Sequence, residues 1–511
     1  MFQEAYSQLL AAFGGPGFHP EILCAENPEV PAVPAPVSIA SRSSDREAWL
    51  ESRRSWRRRL CGLLLSPEAS GEDAVACAVA LAEEGRWSLA ADRRSFDEPS
   101  RPDIDLFAAQ TGELLAWTSR RFAEPLGAAG VATLRSEARR RLFAPCMTQE
   151  GYGFLRGAGA DALGICASLL ISVALLENDA TRFARLARVL LKALDACVTV
   201  KPGCLRTMRE TAGMLASLAD LNDLFGFDVS EALADGLDEV LCAWVDGDRL
   251  LDPAGKGIER GVSGMDIYRA GEIARDAAAC RLGRYMLRQR ELPSSTVSGR
   301  LLSGALEEGD AQDKPPRLRC GASRENLRML SRTRDFFCAM NGAAGQGNVG
   351  DVQLFSGGNA VLSGQDGLYS VPLLAGQEQL SKPRGDCPCS FEMQDARETL
   401  SVDMTNAYPE ACGLRSCQRT LMISRPERSI RWVDAVAFRE PQELCFRFLC
   451  REKPSVFSTA IRFGGLRLTW EGDLRAEARP LRDGRTLLTL RPSAPASRGL
   501  YAFTFDWADY E

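Results

Sequence analysis

Tyr268 and Arg275 offer proton transfer without a histidine. They stand seven apart in Asp266-Ile267-Tyr268-Arg269-Ala270-Gly271-Glu272-Ile273-Ala274-Arg275. On a helix that spacing puts both on one face. A tyrosine can take a proton and later return it if a guanidinium beside it stabilises the phenolate. The plain alternative is a solvated helix face with an ordinary tyrosine. A second candidate is the glycine-dense stretch Gly345-Gln346-Gly347-Asn348-Val349-Gly350-Asp351. Asn348 could donate to a carboxylate. Asp351 could order the loop, bind a cation or cap the turn before a strand.

Other chemistries lack their parts. The single histidine, His19, sits in an irregular stretch, which disfavours a serine triad. Gly342 to Gly350 lacks the Lys-Ser/Thr ending of a phosphate loop and opens no helix. Cys387-Pro388-Cys389 is the only close cysteine pair and lacks the second half of a zinc site, so no metal and no cofactor is expected. Glu83-Glu84 and Glu307-Glu308 read as solvated pairs. The net charge of −6 implies no nucleic-acid partner. The basic residues are six lysines and 56 arginines. Codon bias explains such a skew, and so does bidentate recognition of carboxylates or sulfates.

The elements that must carry these residues change character along the chain. A length of 511 residues is too much for one core. Residues 1–43 read as an irregular, proline-bearing lead-in. Ser44-x-x-Glu47 is a capping box that opens a helix, with Trp49, Trp56, Leu60, Leu63 and Leu64 on one face. Further helices are expected near 72–84, 103–120, 129–143, 159–177, 181–197, 206–225, 230–245 and 266–289. Almost nothing between 45 and 290 alternates as a strand does. Ala162 to Leu176 is the most apolar run, too short to span a bilayer, so no membrane partner is expected. Helices with short connections suggest stacked helical hairpins over 44–291. A polar linker follows at 292–316. From 317 to 511 the texture is β. Expected strands are Arg419 to Ile423, Ser429 to Phe438, Glu443 to Cys450, Phe457 to Phe463, Leu466 to Trp470, Thr486 to Leu490 and Tyr501 to Trp507. Antiparallel strands without intervening helices make a β-sandwich. An odd count of 17 cysteines, and a start lacking a basic and then apolar leader, favour a cytoplasmic setting.

Two blocks carry a resemblance. In the first, the glycine loop ends in Asp351, and a hairpin follows with Phe355, Gly358 and Leu362, closing at Asp366, Gly367 and Tyr369. The second is Leu400 to Pro409 with the turn Asn406-Ala407-Tyr408-Pro409, then Arg419-Thr420-Leu421, then Arg431-Trp432-Val433-Asp434. In order and spacing they resemble the start of the C-terminal sandwich in the heparinase II/III family of polysaccharide lyases. The resemblance implies an α+β multidomain chain. An incomplete α/α toroid of helical hairpins would be followed by a C-terminal antiparallel β-sandwich. The family's loop histidines fall near Gln346 and Val349, so its histidine chemistry cannot run from this loop.

Lyases of this kind cleave uronate-containing chains by β-elimination. The sugar carboxylate is neutralised, a base removes the adjacent proton, and an acid reaches the leaving oxygen. The segment Gln149 to Gly159 occupies the place where related lyases line the cleft with Asn and Trp; here Tyr152 and Arg156 remain. The Tyr268 segment is similar to the Arg-Gly-Arg-x-Ile-Ser-Arg stretch of hyaluronate and chondroitin lyases. Arg269, Ile273 and Arg275 match it, and Gly271 replaces its middle arginine. The expected catalytic set is Tyr268, Arg275 and Tyr152. The substrate-binding set is Asn348, Arg156, Arg269 and Asp351. The partner is an acidic carbohydrate. Three readings follow: a lyase using Tyr and Arg instead of His, an inactive carbohydrate-binding or assembly protein on the same fold, and a hydrolase using Asp or Glu.

Overall fold

The computed structural model describes residues 1–13, 22, 30–33, 43–89, 102–148, 151–199, 207–252, 258–303, 320–322, 328–333, 336–342, 348–356, 359–362, 364, 370–394, 396–451, 453–457, 459–463 and 465–507. His19, Gly345 to Gly347, Gly358, Asp366, Gly367, Tyr369 and the pair Glu307-Glu308 lie outside them. The chain divides into two units. One comprises Met1–Lys201, Arg209–Leu237 and Ser263–Pro315; the other comprises Pro202–Met208, Asp238–Val262 and Pro316–Glu511.

The first unit is helical. Its helices are α1 (Tyr6–Ala12), α2 (Ser43–Leu65), α3 (Gly71–Glu83), α4 (Leu106–Arg121), α5 (Ala123–Ala138), α6 (Ala144–Thr148), α7 (Ala162–Leu176) and α8 (Ala180–Val198). They continue as α9 (Met208–Phe225), α10 (Ser230–Ala243), whose residues from Asp238 onward are counted with the second unit, α11 (Gly264–Ala274), α12 (Ala277–Gln289) and α13 (Val297–Leu302). Side chains start several of them. Ser70, Asp105, Asp179, Asp276 and Thr296 accept from backbone N–H groups of the first turns of α3, α4, α8, α12 and α13. The apolar run expected to be buried is α7, with twelve of its residues buried.

Three expectations need correction here. Residues 1–43 are not wholly irregular. Phe2 is buried, the N–H groups of Phe2 and Gln3 donate to the Asp195 carboxylate at 2.8 and 3.0 Å, and the Tyr6 hydroxyl at the start of α1 donates to Ala184 O at 3.0 Å, so tertiary contacts hold this segment where periodicity is weak. The helix expected over 266–289 is two helices, because Arg275 takes a left-handed conformation at φ 57°. Asp276 then caps α12 through Ala278 N at 2.8 Å. Glu84 is not a solvated carboxylate: Arg53 and Arg57 both ion-pair with it, at 3.0 and 2.8 Å.

The second unit is built on strands. A small antiparallel sheet of β1 (Trp244–Asp246), β2 (Arg249–Leu251) and β3 (Ile258–Glu259) comes from a region expected to be helical. The remaining strands are β4 (Cys320–Ala322), β5 (Arg328–Arg332), β6 (Phe336–Asn341), β7 (Val352–Ser356), β8 (Asn359–Leu362), β9 (Leu373–Leu374), β10 (Cys389–Gln394), β11 (Arg397–Asp403) and β12 (Leu414–Ser424). They run on through β13 (Ser429–Gln442), β14 (Leu444–Cys450), β15 (Ser455–Val456), β16 (Ala460–Phe463), β17 (Leu466–Trp470), β18 (Leu474–Pro480), β19 (Thr486–Pro492) and β20 (Ala496–Asp506).

One sheet has the order β10-β11-β12-β13-β20-β17-β16-β15, and the other β18-β19-β14-β8-β7-β6-β5-β4 with β9 against β14. Their facing sides form one core that includes Met340, Leu354, Leu400, Leu421, Trp432, Phe446, Phe448 and Phe503. Strands β10 and β18 were not among those expected. Both alternate apolar and polar residues, as Cys389-Ser390-Phe391-Glu392-Met393-Gln394 and Leu474-Arg475-Ala476-Glu477-Ala478-Arg479, and both stand at sheet ends, where every side chain but Leu474 is half-buried or exposed. Trp244 of β1 lies under the Arg332 guanidinium at 4.6 Å, and Arg328 Nη2 donates to Asp252 O at 2.9 Å. These contacts tie residues 238–262 to β5.

Candidate functional site

In the helical unit the site is built on the crossing of α11 and α12. A Cβ on Gly264 would sit 2.5 Å from Gly283 O, and one on Gly283 would sit 2.6 Å from Tyr268 N. Only glycine on both helices allows backbones this close. The residue after Gly283 is thereby laid against Tyr268. Arg284 Nη2 donates to the Tyr268 hydroxyl at 3.2 Å, and the guanidinium lies 4.9 Å from the ring centroid. Both side chains are half-buried. The bond to Tyr268 holds the Arg284 pKa above its ordinary value.

Arg284 was missed by sequence reasoning, and Arg275 was expected in its place. Arg275 is exposed and lies past the end of α11, where its left-handed turn removes it from the helical face that carries Tyr268. The Gly264/Gly283 pair was the signal that could have found Arg284.

Arg269 takes a different part. It is buried, and its Nη2 donates to Asp220 at 2.8 Å and Asp223 at 2.6 Å. Burial works against its charge, but the two carboxylates outweigh burial and raise its pKa. Around it lies a buried polar network. Asp266 accepts from Ser294 Oγ at 2.6 Å and Ser295 N at 3.0 Å. Glu113 accepts from Ser298 N at 2.9 Å, and Trp117 Nε1 donates to Ser298 Oγ at 3.0 Å. Burial pushes Glu113 up to about 7 and Asp220 up to about 6. The network fastens the Ser294–Ser298 strap to α4, α9 and α11. The geometry makes Arg269 a scaffold side chain.

Tyr152 is also buried, with its hydroxyl donating to Pro102 O at 2.5 Å, while Arg156 at the end of the short Gly153–Arg156 turn is exposed. The tyrosine is thus satisfied by backbone, and the structure does not bring it to Tyr268 by any contact described.

In the strand unit the two blocks of the resemblance meet. Arg419 makes a double bond pair with Asp434, Nε to Oδ1 at 2.7 Å and Nη2 to Oδ2 at 2.6 Å, over the Trp432 ring at 4.1 Å. Its remaining nitrogen, Nη1, donates to Gly350 O at 2.6 Å and Ser370 O at 2.7 Å. Asp351 accepts from Ser370 N and Ser370 Oγ, each at 2.7 Å. Burial pushes Asp351 up to about 6. Gly350 has φ 74°, and a Cβ there would sit 2.4 Å from Met404 Sδ. Gln379 Nε2 donates to Val349 O at 2.9 Å. Tyr408 is buried with its hydroxyl on Pro372 O at 2.7 Å, as a structural tyrosine should be. The knot fixes the turn just after Asn348, whose side chain is half-buried. Among the described residues no group of three or more His, Cys, Asp or Glu could hold a metal ion.

No family model matches the sequence, and no curated protein does. Solved structures do match. A mutant of the heparan sulfate lyase HepC from Pedobacter heparinus aligns over 100% of this chain and 83% of its own, at 12% identity and a TM-score of 0.60. Heparinase III aligns over 99% of this chain and 84% of its own, at 10% identity and 0.55. A mutant chondroitin AC lyase from Streptomyces coelicolor A3 aligns over 99% and 79%, at 11% identity and 0.56. The chain has a polysaccharide-lyase fold. This lyase-fold protein therefore carries the helical toroid followed by the antiparallel β-sandwich that the two sequence blocks implied. Among its described residues no helix is long and apolar enough to cross a membrane.

Proposed function

We propose that this protein is a lyase that cleaves uronate-containing acidic poly- or oligosaccharide by β-elimination, with Tyr268 and an arginine in place of histidine. The observation that carries the reading is the Arg284 guanidinium donating to the Tyr268 oxygen at 3.2 Å. A cationic donor on that oxygen stabilises the phenolate the base step needs. Tyr268 takes the proton beside the sugar carboxylate, electrons form the new carbon–carbon double bond, and the bond to the leaving oxygen breaks. The tyrosine hydroxyl then returns its proton to that oxygen. Arg275 and Arg156 are exposed cations suited to an anionic chain, and Asn348 is suited to donate to a carboxylate. The fold supports the reading, since similar structures include a chondroitin AC lyase in complex with chondroitin sulphate. Free thiols throughout the described residues accord with a cytoplasmic setting.

Unsaturated uronate absorbs in the near ultraviolet. Incubation with a panel of uronate glycans should give a rising trace, and Tyr268→Phe should flatten it while circular dichroism stays unchanged. A flat trace from the unaltered protein, with glycan binding retained, assigns the alternative: a carbohydrate-binding protein on the lyase fold. The commitment of Arg269 and Arg419 to internal carboxylates favours that alternative.

A further inference from the structure

At the base of the glycine loop three buried side chains have polar atoms that make no hydrogen bond. They are Asn341 through Nδ2, Gln353 through Nε2 and Oε1, and Asp351 through Oδ2. All three are more than nine-tenths buried, at 6%, 2% and 1% exposure. They are neighbours by register. Asn341 N donates to Asp351 O at 3.0 Å, and Asn341 O accepts from Gly350 N at 2.8 Å, so the β6–β7 pairing runs on into the loop. Gln353 pairs with Ala339, two residues before Asn341 on β6. Met340, Val352 and Leu354 fill the sandwich core, which leaves Asn341 and Gln353 on the other face of the sheet. Buried polar groups in native proteins nearly always have partners, so a cluster without them calls for an explanation.

Its inventory is specific. Two amide donors and two acceptors stand on neighbouring register positions of β6 and β7, one acceptor belonging to a carboxylate. An incoming carboxylate or sulfate has only acceptors and is repelled by Asp351. A sugar hydroxyl donates and accepts at once and satisfies both kinds of atom. We infer that Asn341, Gln353 and Asp351 form a subsite that recognises neighbouring hydroxyls of a sugar ring and selects against a sulfated ring. The inference deepens the lyase reading and rests on it for the class of ligand. A ring edge reaches these atoms only by displacing what packs on them. Gaining partners for four unmatched atoms offsets part of that cost. Asp351 already has Ser370 on its other oxygen, so one oxygen stays fixed while Oδ2 is available.

The test uses the full chain and two probes: an unsulfated glucuronate disaccharide and its ring-sulfated form. Affinities are read by titration calorimetry, and the near-ultraviolet assay is run in parallel. The unaltered protein should prefer the unsulfated probe by about tenfold or more. Gln353→Leu should cost about tenfold on that probe and narrow the preference, because the amide pair is lost. Its thermal midpoint should hold or rise, since a buried amide without partners has been removed. Asn341→Leu is the second variant and should behave likewise. Equal affinity for the two probes, or full affinity in both leucine variants, overturns the subsite, as does failure of the unaltered protein to bind either disaccharide. If the ultraviolet product still forms in that case, the elimination reading survives. Binding that depends on Gln353 without any product upholds the subsite and sinks the elimination.

Discussion

Two arginines fifteen positions apart show how little residue type alone decides. Arg269 matches a lyase segment, yet Asp220 and Asp223 hold it inside the helical unit. Arg284 matches nothing expected, yet it donates to Tyr268. Their variants should separate cleanly. Arg284→Gln keeps a donor but removes the charge, and is expected to lower kcat by about a hundredfold with little change in KM or in unfolding midpoint. Arg269→Met leaves Asp220 buried without its cation, which should cost about 3–5 kcal/mol in urea unfolding. Steady-state kinetics and denaturation on both proteins give the comparison. A stable Arg269→Met protein would mean that the network carries no such weight.

Elements decide which side chains meet. The α11–α12 crossing exists because Gly264 and Gly283 let backbone touch backbone. Gly283→Ala would set a methyl against Gly264 O and Tyr268 N, with no flexible side chain able to yield. The expected cost is about 1–3 kcal/mol, from overpacking. Because the separation also moves Arg284 off the Tyr268 oxygen, lyase product should fall with stability, whereas Gly226→Ala, at a helix end with open space around it, should lose stability alone. Urea midpoints and product rates measured side by side test this. The same element scale explains what periodicity could not show. Heptad spacing put Arg275 beside Tyr268, but a left-handed residue ends the helix first. The β1–β3 sheet was not foreseen within the helical span 44–291 because its strands are two or three residues long, too short to alternate visibly.

Over the molecule as a whole, the buried carboxylates set a pH dependence. Glu113 is raised by burial to about 7, above its unfolded value near 4.5. A raised carboxyl favours the folded state fully below the unfolded pKa, and that stability is lost as pH rises through the folded one. Asp220, raised to about 6, acts in the same direction. The thermal midpoint should therefore decline from pH 5 to pH 8, with Glu113 contributing on the order of 3 kcal/mol. Glu113→Gln keeps an acceptor for Ser298 N and should flatten the decline. A wild-type profile already flat over that range would count against a protonated Glu113.

The sequence by itself determined the order of textures, helices and then strands, because apolar period is local and survives without tertiary contacts. It also marked the blocks around Asp351, Tyr408, Arg419 and Asp434, since a buried ion pair and a glycine turn restrict residue type at fixed spacing. Only the tertiary structure decided what those residues do. Arg419 and Asp434 lie on adjacent strands, and Gly350 is brought to them from sixty-nine residues away, so the knot they form is invisible to spacing. The partner of Tyr268 was likewise fixed by how closely two helices approach, a quantity set by packing in three dimensions that one-dimensional periodicity does not contain.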